Sequence, residues 1–333
     1  MPSRVTAVHP HRAIEGGRIT IDGSGFPLSG PRLPEVRIGD LPARVVFASP
    51  TRLSVVVPAG IPEGGPIAVR IEGVAGETPL IEIAAPFATG LHQVDNPVFD
   101  ADGNLYVTYS GTRGQQVPVS IFRVRPNGTR ETFASGIVNP TSLAMGPDGR
   151  LYVSSRFEGS VYRVDPDGSL ETYATDLGVA CGLVFGPDGS LFVGDRSGTI
   201  FRVDAAGRAT PFASLPPSVA AFHLASPGDG SLFVTGPTLA SYDAVYHVDA
   251  KGNVNVHHTG FGRPQGLTFD PSGTLFVVEA LAGASGVWQL PADGAPVLSL
   301  SGPGLVGLAF GPDGSLVVCS NDTAYRLVNG RRR

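Results

Sequence analysis

Few side chains in this sequence combine reactive chemistry with regular spacing, and those that do fall at matching places around one recurrent phrase. The phrase is an apolar strand, a turn built on Asp-Gly or Ser-Gly, and a second strand, usually of the form Leu-aromatic-Val. Two residues before the repeated Leu of the first strand (Val98 in the first copy) stand Asn96, Thr141, Cys181, Phe222, Gln265 and Val306. At the end of the second strand stand Tyr109, Ser155, Asp195, Gly236, Glu279 and Ser320. Oxygen donors in such rings can hold a hard cation, so Asn96, Asp195, Glu279 and Gln265 form a candidate divalent site, although Ca²⁺ takes about six to eight oxygens. Asp195, Glu279 and His223 are the candidate acids and bases; His223 competes with Phe222 for the inward direction, which is open by one residue. Cys181 is a nucleophile only if a neighbour such as His223 stabilises its thiolate. Each also has a plain structural reading. Asp195 can pair with Arg196 or cap a turn, Glu279 can sit on a solvated rim, His223 can be a satisfied core histidine, and Cys181 can fill space at a strand start. His257 and His258 are adjacent on a strand and face opposite sides, so they cannot serve one site. Asn127-Gly128-Thr129 and Asn321-Asp322-Thr323 have glycosylation spacing but read as turns, and no GxSxG, HExxH or phosphate-loop pattern occurs.

The elements that position these residues are repeats. The six copies are VFDADGNLYVTY, LAMGPDGRLYVSS, LVFGPDGSLFVGD, LASPGDGSLFVTG, LTFDPSGTLFVVE and LAFGPDGSLVVCS, with turn glycines at 103, 149, 189, 230, 273 and 314. Third strands come next as IFRV, VYRV, IFRV, VYHV, VWQL and AYRL, and a fourth strand is present in all but the last copy. A period near forty with four strands per unit predicts a β-propeller, since one such sheet cannot bury both faces unless neighbours stack on it. The last copy stops after its third strand, and Ala85-Pro86-Phe87-Ala88-Thr89-Gly90 repeats the wording of Glu131-Thr132-Phe133-Ala134-Ser135-Gly136. Residues 82–90 are therefore expected to complete the sixth blade and close the ring. From the second-strand Val to the third-strand aromatic the interval is fifteen in the first copy, against nine, eight, twelve, eleven and seven in the others. The longer loops, Tyr109–Ser120, Gly236–Asp243 and Glu279–Gly286, rise on the face shared by both rings and carry Arg113, Gln115, Gln116, Tyr242 and Asp243.

Composition agrees. Of 333 residues, 45 are Gly and 30 Pro, yet 42% are hydrophobic, which separates a chain of many short strands from a low-complexity one. The net charge is −5, with one lysine (Lys251) among 24 basic residues, so a nucleic-acid surface is not expected. Cys181 and Cys319 are too few for a disulfide framework. No apolar run is long enough for a spanning helix and the start MPSRVTAVHP lacks a secretory h-region. The expectation is a soluble monomer of unassigned compartment, extracytoplasmic if a signal has been removed. Residues 1–83 differ in pattern from the repeats. They hold short alternating strands such as Arg18-Ile19-Thr20-Ile21 and Ser54-Val55-Val56-Val57, with turns at Asp22-Gly23 and Gly39-Asp40, the pattern of a small β-sandwich.

These residues carry two resemblances. Pro10, Gly16-Gly17, Ile21-Asp22-Gly23-Ser24-Gly25-Phe26, Ile38-Gly39-Asp40-Leu41-Pro42-Ala43 and Val57-Pro58-Ala59-Gly60 resemble the immunoglobulin-like IPT/TIG module over residues 3–83. The repeats over 85–333 resemble the NHL-repeat and senescence-marker/gluconolactonase (SGL) group of six-bladed propellers. The lactonase branch implies a divalent metal on a Glu, two Asn and an Asp at first-ring positions of four successive blades; here those read Asn96, Thr141, Cys181 and Phe222. The implied metal site is therefore expected to be lost, and no cofactor is expected beyond a remodelled Ca²⁺ or other divalent site. The expected fold is all-β, with a sandwich at 1–83 and a six-bladed propeller at 84–333. The expected function is binding of a small molecule, peptide or glycan at the loop-rich channel face through Asn96, Tyr109, Arg113, Thr141, Ser155, Cys181, Phe222, His223, Tyr242 and Gln265. The alternative is a lactonase-like hydrolase or a lyase acting on a lactone or small ester.

Overall fold

A computed structural model describes residues 3–28, 33–61, 64–76, 78–280 and 285–327. Among them are 32 β-strands and no helix, so none is long and apolar enough to cross a membrane.

The N-terminal strands form a sandwich because alternate side chains point to one face. In Arg18–Ser24, Ile19 and Ile21 are fully buried while Arg18 is exposed, and they pack with Leu53, Val55 and Ile81. Burying each such Ile or Leu contributes about 1.5–3 kcal/mol relative to exposure. Gly23 allows Phe26 to fold back, since a Cβ there would lie 2.4 Å from the ring.

Main-chain hydrogen bonds tie the sandwich to the C-terminal part of the chain. The short strand Arg12–Ala13 runs parallel between Leu80–Ile83 and Val297–Ser301. Ser301 accepts from Ile14 N through its carbonyl (3.0 Å) and from Arg18 N through its hydroxyl (2.8 Å). Gly17 lies against the same carbonyl, 2.4 Å from where its Cβ would be. Ile14 and Ala84 complete an apolar cluster with Val278, Val287, Leu300 and Leu305.

Beyond the sandwich the chain is a β-propeller. Five separate four-stranded sheets span 98–134, 140–174, 180–214, 223–261 and 305–327, the last taking the strand Ala85–Thr89 as its fourth member. Residues 264–301 form four strands in the same antiparallel order, but within a twelve-stranded sheet that continues into the sandwich. The strand Ala85–Thr89 pairs antiparallel with Thr323–Leu327, matching Thr89 to Thr323 and Ala85 to Arg326. Phe87 packs with Leu105, Val317 and Ala324, not in the sandwich, and lies under the Arg326 guanidinium at 5.1 Å.

The repeated turn has a local cause. All six turn glycines take φ between +74° and +91°, where a side chain would be strained. The turn aspartates cap the loop, as Asp148 Oδ1 does by accepting Arg150 N (3.1 Å). The second-strand aromatic reaches back onto the same carboxylate: Tyr106 donates to Asp100 (3.0 Å) and Tyr152 to Asp148 (3.1 Å).

Because Gly17 meets backbone that cannot swing away, we expect Gly17→Ala to destabilise the protein by about 1–3 kcal/mol, as overpacking does. Urea unfolding checks this; a variant as stable as the parent would mean that the contact between the two parts is loose.

Candidate functional site

The innermost strands run from the loop-rich face, here called upper, toward the Asp-Gly turns. One residue further along each strand than the sequence-derived ring stand Pro97, Ser142, Gly182, His223, Gly266 and Gly307. Five of these are small or compact, and His223 occupies the space that they leave.

His223 is completely buried, and its Nδ1 donates to Asp95 Oδ1 at 2.5 Å, from a residue 128 positions earlier in the chain. Asp95 belongs to the segment that leads into the strand Val98–Phe99. Its neighbour Asn96 donates from Nδ2 to Leu267 O (2.7 Å) and accepts Leu308 N at Oδ1 (3.0 Å). Gln93, fully buried, accepts Thr108 N (2.8 Å) and donates to Asp95 O (2.6 Å). One short segment is thus tied to the inner strands of three sheets and to the second strand of a fourth. Glycine is required around it: a Cβ on Gly266 would lie 2.1 Å from Asn96 Oδ1, and one on Gly307 2.4 Å from Asp95 O. The segment floors the channel and separates two cavities.

The lower cavity, about 380 Å³, is lined by Leu143, Leu183, Leu267 and Phe310 together with polar groups of Asp95, Asn96, Ser142 and Thr268, and among the described residues no arginine or lysine lines it. The upper cavity, about 250 Å³, differs in character. It is lined by Gln93, Cys181, Gln265, Asn321 and two arginines, Arg156 and Arg196, together with small apolar residues. Both arginines stand one residue beyond the second-strand ring, where the six copies read Ser110, Arg156, Arg196, Pro237, Ala280 and Asn321. Among the described residues, neither guanidinium meets a carboxylate within 4.0 Å. Arg156 makes a long contact to Ser110 Oγ (3.4 Å), and Arg196 donates to Ser218 O (3.2 Å) and Val219 O (2.8 Å). Burial holds the Arg156 guanidinium below its ordinary pKa, opposed by Cys181 and reinforced by the charges of Arg196 and Arg113. Burial lowers His92 in the same way, with Arg156 adding to it. A third and larger groove lies between sandwich and propeller, where Arg12 is already paired with Glu82 at 3.0 Å.

The residues singled out by spacing have varied fates. Cys181 and Gln265 line the upper cavity, and Val306 lies beside them. Asn96 lies in the channel, but its amide is spent on backbone groups. Thr141 is fully buried and donates to Asn139 O (3.1 Å). Ser155 is also buried and donates to Val138 O (2.6 Å). Phe222 turns outward into the core with Leu224 and Val234, covering Gly236, and Ala221 lines the cavity in its place. Tyr109 packs edge-on against His92 and Phe122. Arg113 is exposed on the loop that Asn139 pins through Ser110 O (2.6 Å), Thr112 O (2.8 Å) and Gly114 N (2.6 Å). Tyr242 is 64% exposed and lies outside the cavity lining. Residues 281–284 of the loop Glu279–Gly286 lie outside the described residues.

The candidate cation ligands do not meet. Asp195 is buried and accepts Val179 N (2.8 Å) and the Ser197 hydroxyl, so it caps a turn, and no ion pair joins it to Arg196. Glu279 is buried, not on a solvated rim, and accepts Gly262 N (2.6 Å). Among the described residues no three His, Cys, Asp or Glu converge as a metal would need. Burial raises the Glu279 carboxyl above its ordinary value of 4.5, with the Gly262 amide and Trp288 indole opposing. Burial likewise pushes the Cys181 thiol up to about 12, so it stays neutral despite Arg156 nearby. Spacing misses the arginines because it sets the second ring one residue too early. The adjacent pairs Ser155-Arg156 and Asp195-Arg196 carry the signal.

Fold and site together define an all-β protein that couples a small immunoglobulin-like sandwich to a β-propeller with a charged upper mouth. The IPT/TIG domain family matches residues 3–81. Among solved structures, an auxiliary nutrient binding protein from Bacteroides thetaiotaomicron is similar at 14% identity and TM-score 0.59, covering 98% of this chain and 97% of its own. A gluconolactonase from Xanthomonas campestris is similar at 16% identity and TM-score 0.62, covering 90% of this chain and 99% of its own. A streptogramin B lyase gives 16% identity and TM-score 0.55, covering 93% and 97%. At these identities the likeness is one of fold. No match is found among curated proteins.

Three outcomes are expected. Gly266→Ala should cost about 1–3 kcal/mol by displacing Asn96, and adding Asn96→Ala should cost less than the sum of the two single changes; a urea-denaturation cycle measures both. Native Cys181 and Cys319 should resist iodoacetamide at about pH 8, whereas the unfolded chain is labelled, because alkylation requires thiolate. Glu279 stabilises the fold while protonated, an effect complete below 4.5 and lost as pH rises through its raised value. Relative to the parent, Glu279→Gln should therefore gain thermal stability as pH rises from about 4 to about 7; a pH-independent difference would contradict this.

Proposed function

We propose that this protein is a ligand-binding six-bladed propeller that takes a small molecule in its upper mouth, with the IPT/TIG sandwich as a spacer or second contact. In this reading the sandwich occupies 1–83 and the propeller 84–333. The strands at 264–301 count as a blade, and Ala85–Thr89 closes the ring. The observation that carries the binding reading is the convergence of polar side chains on one small cavity, Arg156, Arg196, Gln265 and Asn321, on a floor that Asp95, Asn96 and His223 hold closed. A cavity of about 250 Å³ is smaller than the ~300–1,000 Å³ of typical ligand pockets, so it suits a small molecule or one terminal group better than a chain of residues or sugars. The nutrient-binding protein of similar fold is consistent with this role.

The lactonase-like alternative would need a divalent cation. The oxygens of Asn96, Asp195 and Glu279 are committed to backbone and hydroxyl groups of different sheets, so this donor set does not suit one.

Thermal-shift screening of small polar molecules tests the proposal. Ala221 lines the upper cavity and Ser226 the lower. Compounds that stabilise the parent should lose their effect on Ala221→Trp and keep it on Ser226→Trp. The reverse pattern would move the site to the lower cavity.

A further inference from the structure

The lining of the upper cavity holds two cationic side chains and, among the described residues, no acidic one. Arg156 and Arg196 come from successive sheets and line the same small space, and neither has an acidic partner. Placing two guanidiniums together in a partly dehydrated cavity is unfavourable unless something compensates their repulsion. The groups nearby do not. Cys181 is buried and its thiol remains neutral, and Gln265 and Asn321 contribute amides without charge. Asp195, the nearest carboxylate in sequence, is turned away to cap Val179 N and hold Ser197. Asp95 beneath is engaged by His223 and by Asn96 N (2.7 Å). Arg113, exposed on the pinned loop, adds a further positive charge acting on Arg156, and burial together with Arg156 lowers the pKa of half-buried His92.

The hydrogen-bonding capacity points the same way. Arg196 uses Nε and one terminal nitrogen to hold the 218–219 backbone, which fixes its plane and leaves further N–H groups for a ligand. Arg156 makes only the long contact to Ser110 Oγ, so most of its donors are uncommitted to protein among the described residues. Two guanidinium forks with neighbouring amides match an oxyanion, whose oxygens accept several N–H bonds at once.

Resting on the binding proposal above, we propose that the ligand carries an oxyanion, a carboxylate or a phosphate, seated between Arg156 and Arg196 with Gln265 and Asn321 completing its hydrogen bonds. Electrostatic focusing by the mouth adds to its capture, so binding weakens as salt rises.

Calorimetric titration of the full chain with glycerate and with glycerol phosphate distinguishes the two anions, and glycerol is the neutral control. At least one anion should bind and glycerol should not. Arg156→Gln should weaken that binding by about tenfold or more, as loss of a charge-assisted pair does, and Arg156→Lys should recover part of it. Arg196→Gln also loses its hold on the 218–219 backbone, so Arg156 is the primary test, with circular dichroism to verify folding. Binding of neutral polar molecules blocked by Ala221→Trp but indifferent to Arg156→Gln would overturn the oxyanion assignment while leaving a binding site in place. If neither anion binds and no neutral compound responds to Ala221→Trp, both proposals fail. Anion binding unchanged in Arg156→Gln would place the anion elsewhere and overturn this one.

Discussion

The hydrogen bond between His223 and Asp95 is the contact on which the functional geometry depends. It joins residues 128 positions apart across the channel, within a completely buried pair. A propeller channel lined by small residues would be open from face to face. Here the segment 93–96 crosses it, anchored by Asn96 to Leu267 and Leu308 and by Gln93 to Thr108. The crossing converts a tube into two cups, and the polarity of each cup depends on what the segment turns toward it. Asp95 and Asn96 face the lower cup, where Ser142 and Thr268 stand beside leucines and phenylalanines and, among the described residues, no arginine or lysine lines the wall. The upper cup keeps two arginines that, among the described residues, no carboxylate meets within 4.0 Å.

The floor also explains glycines with ordinary backbone conformations. Gly266 and Gly307 do not have the positive φ of the turn glycines; they are glycines because the Asn96 amide and the Asp95 carbonyl press on them. Gly17 is used the same way where the sandwich meets Ser301. The two parts of the chain are thus joined by shared backbone hydrogen bonding and an apolar cluster that includes Ile14 and Ala84. Such a junction holds the sandwich in a fixed attitude beside the strands 264–301, so any second contact it makes would be held at a defined angle to the mouth.

Much of this was legible in the sequence, and the limits have physical causes. The Asp-Gly turns, the alternating strands and the pairing of Ala85–Thr89 with Thr323–Leu327 stem from period and wording, because local turn chemistry and side-chain alternation dictate them. The rings read from spacing meet the lining of the upper cavity only in part. Cys181 and Gln265 reach the cavity, whereas Phe222 is drawn outward by the apolar space over Gly236 and yields its place to Ala221. Asp195 and Glu279 looked like ligands because they end strands at the mouth, but a strand-end carboxylate meets the unpaired N–H of the neighbouring loop first. Nothing in spacing indicates that Asp95 would reach His223, since that contact exists only once the sheets have closed around a common axis.

The proposed ligand binding requires an upper cup that is floored and cationic. Crystals soaked in selenate and measured at the selenium edge test both properties in one map. The expected result is an anomalous peak between the guanidiniums of Arg156 and Arg196, above continuous density joining Asp95 to His223. Density open along the whole axis, or an anomalous peak only on the outer surface, would contradict it.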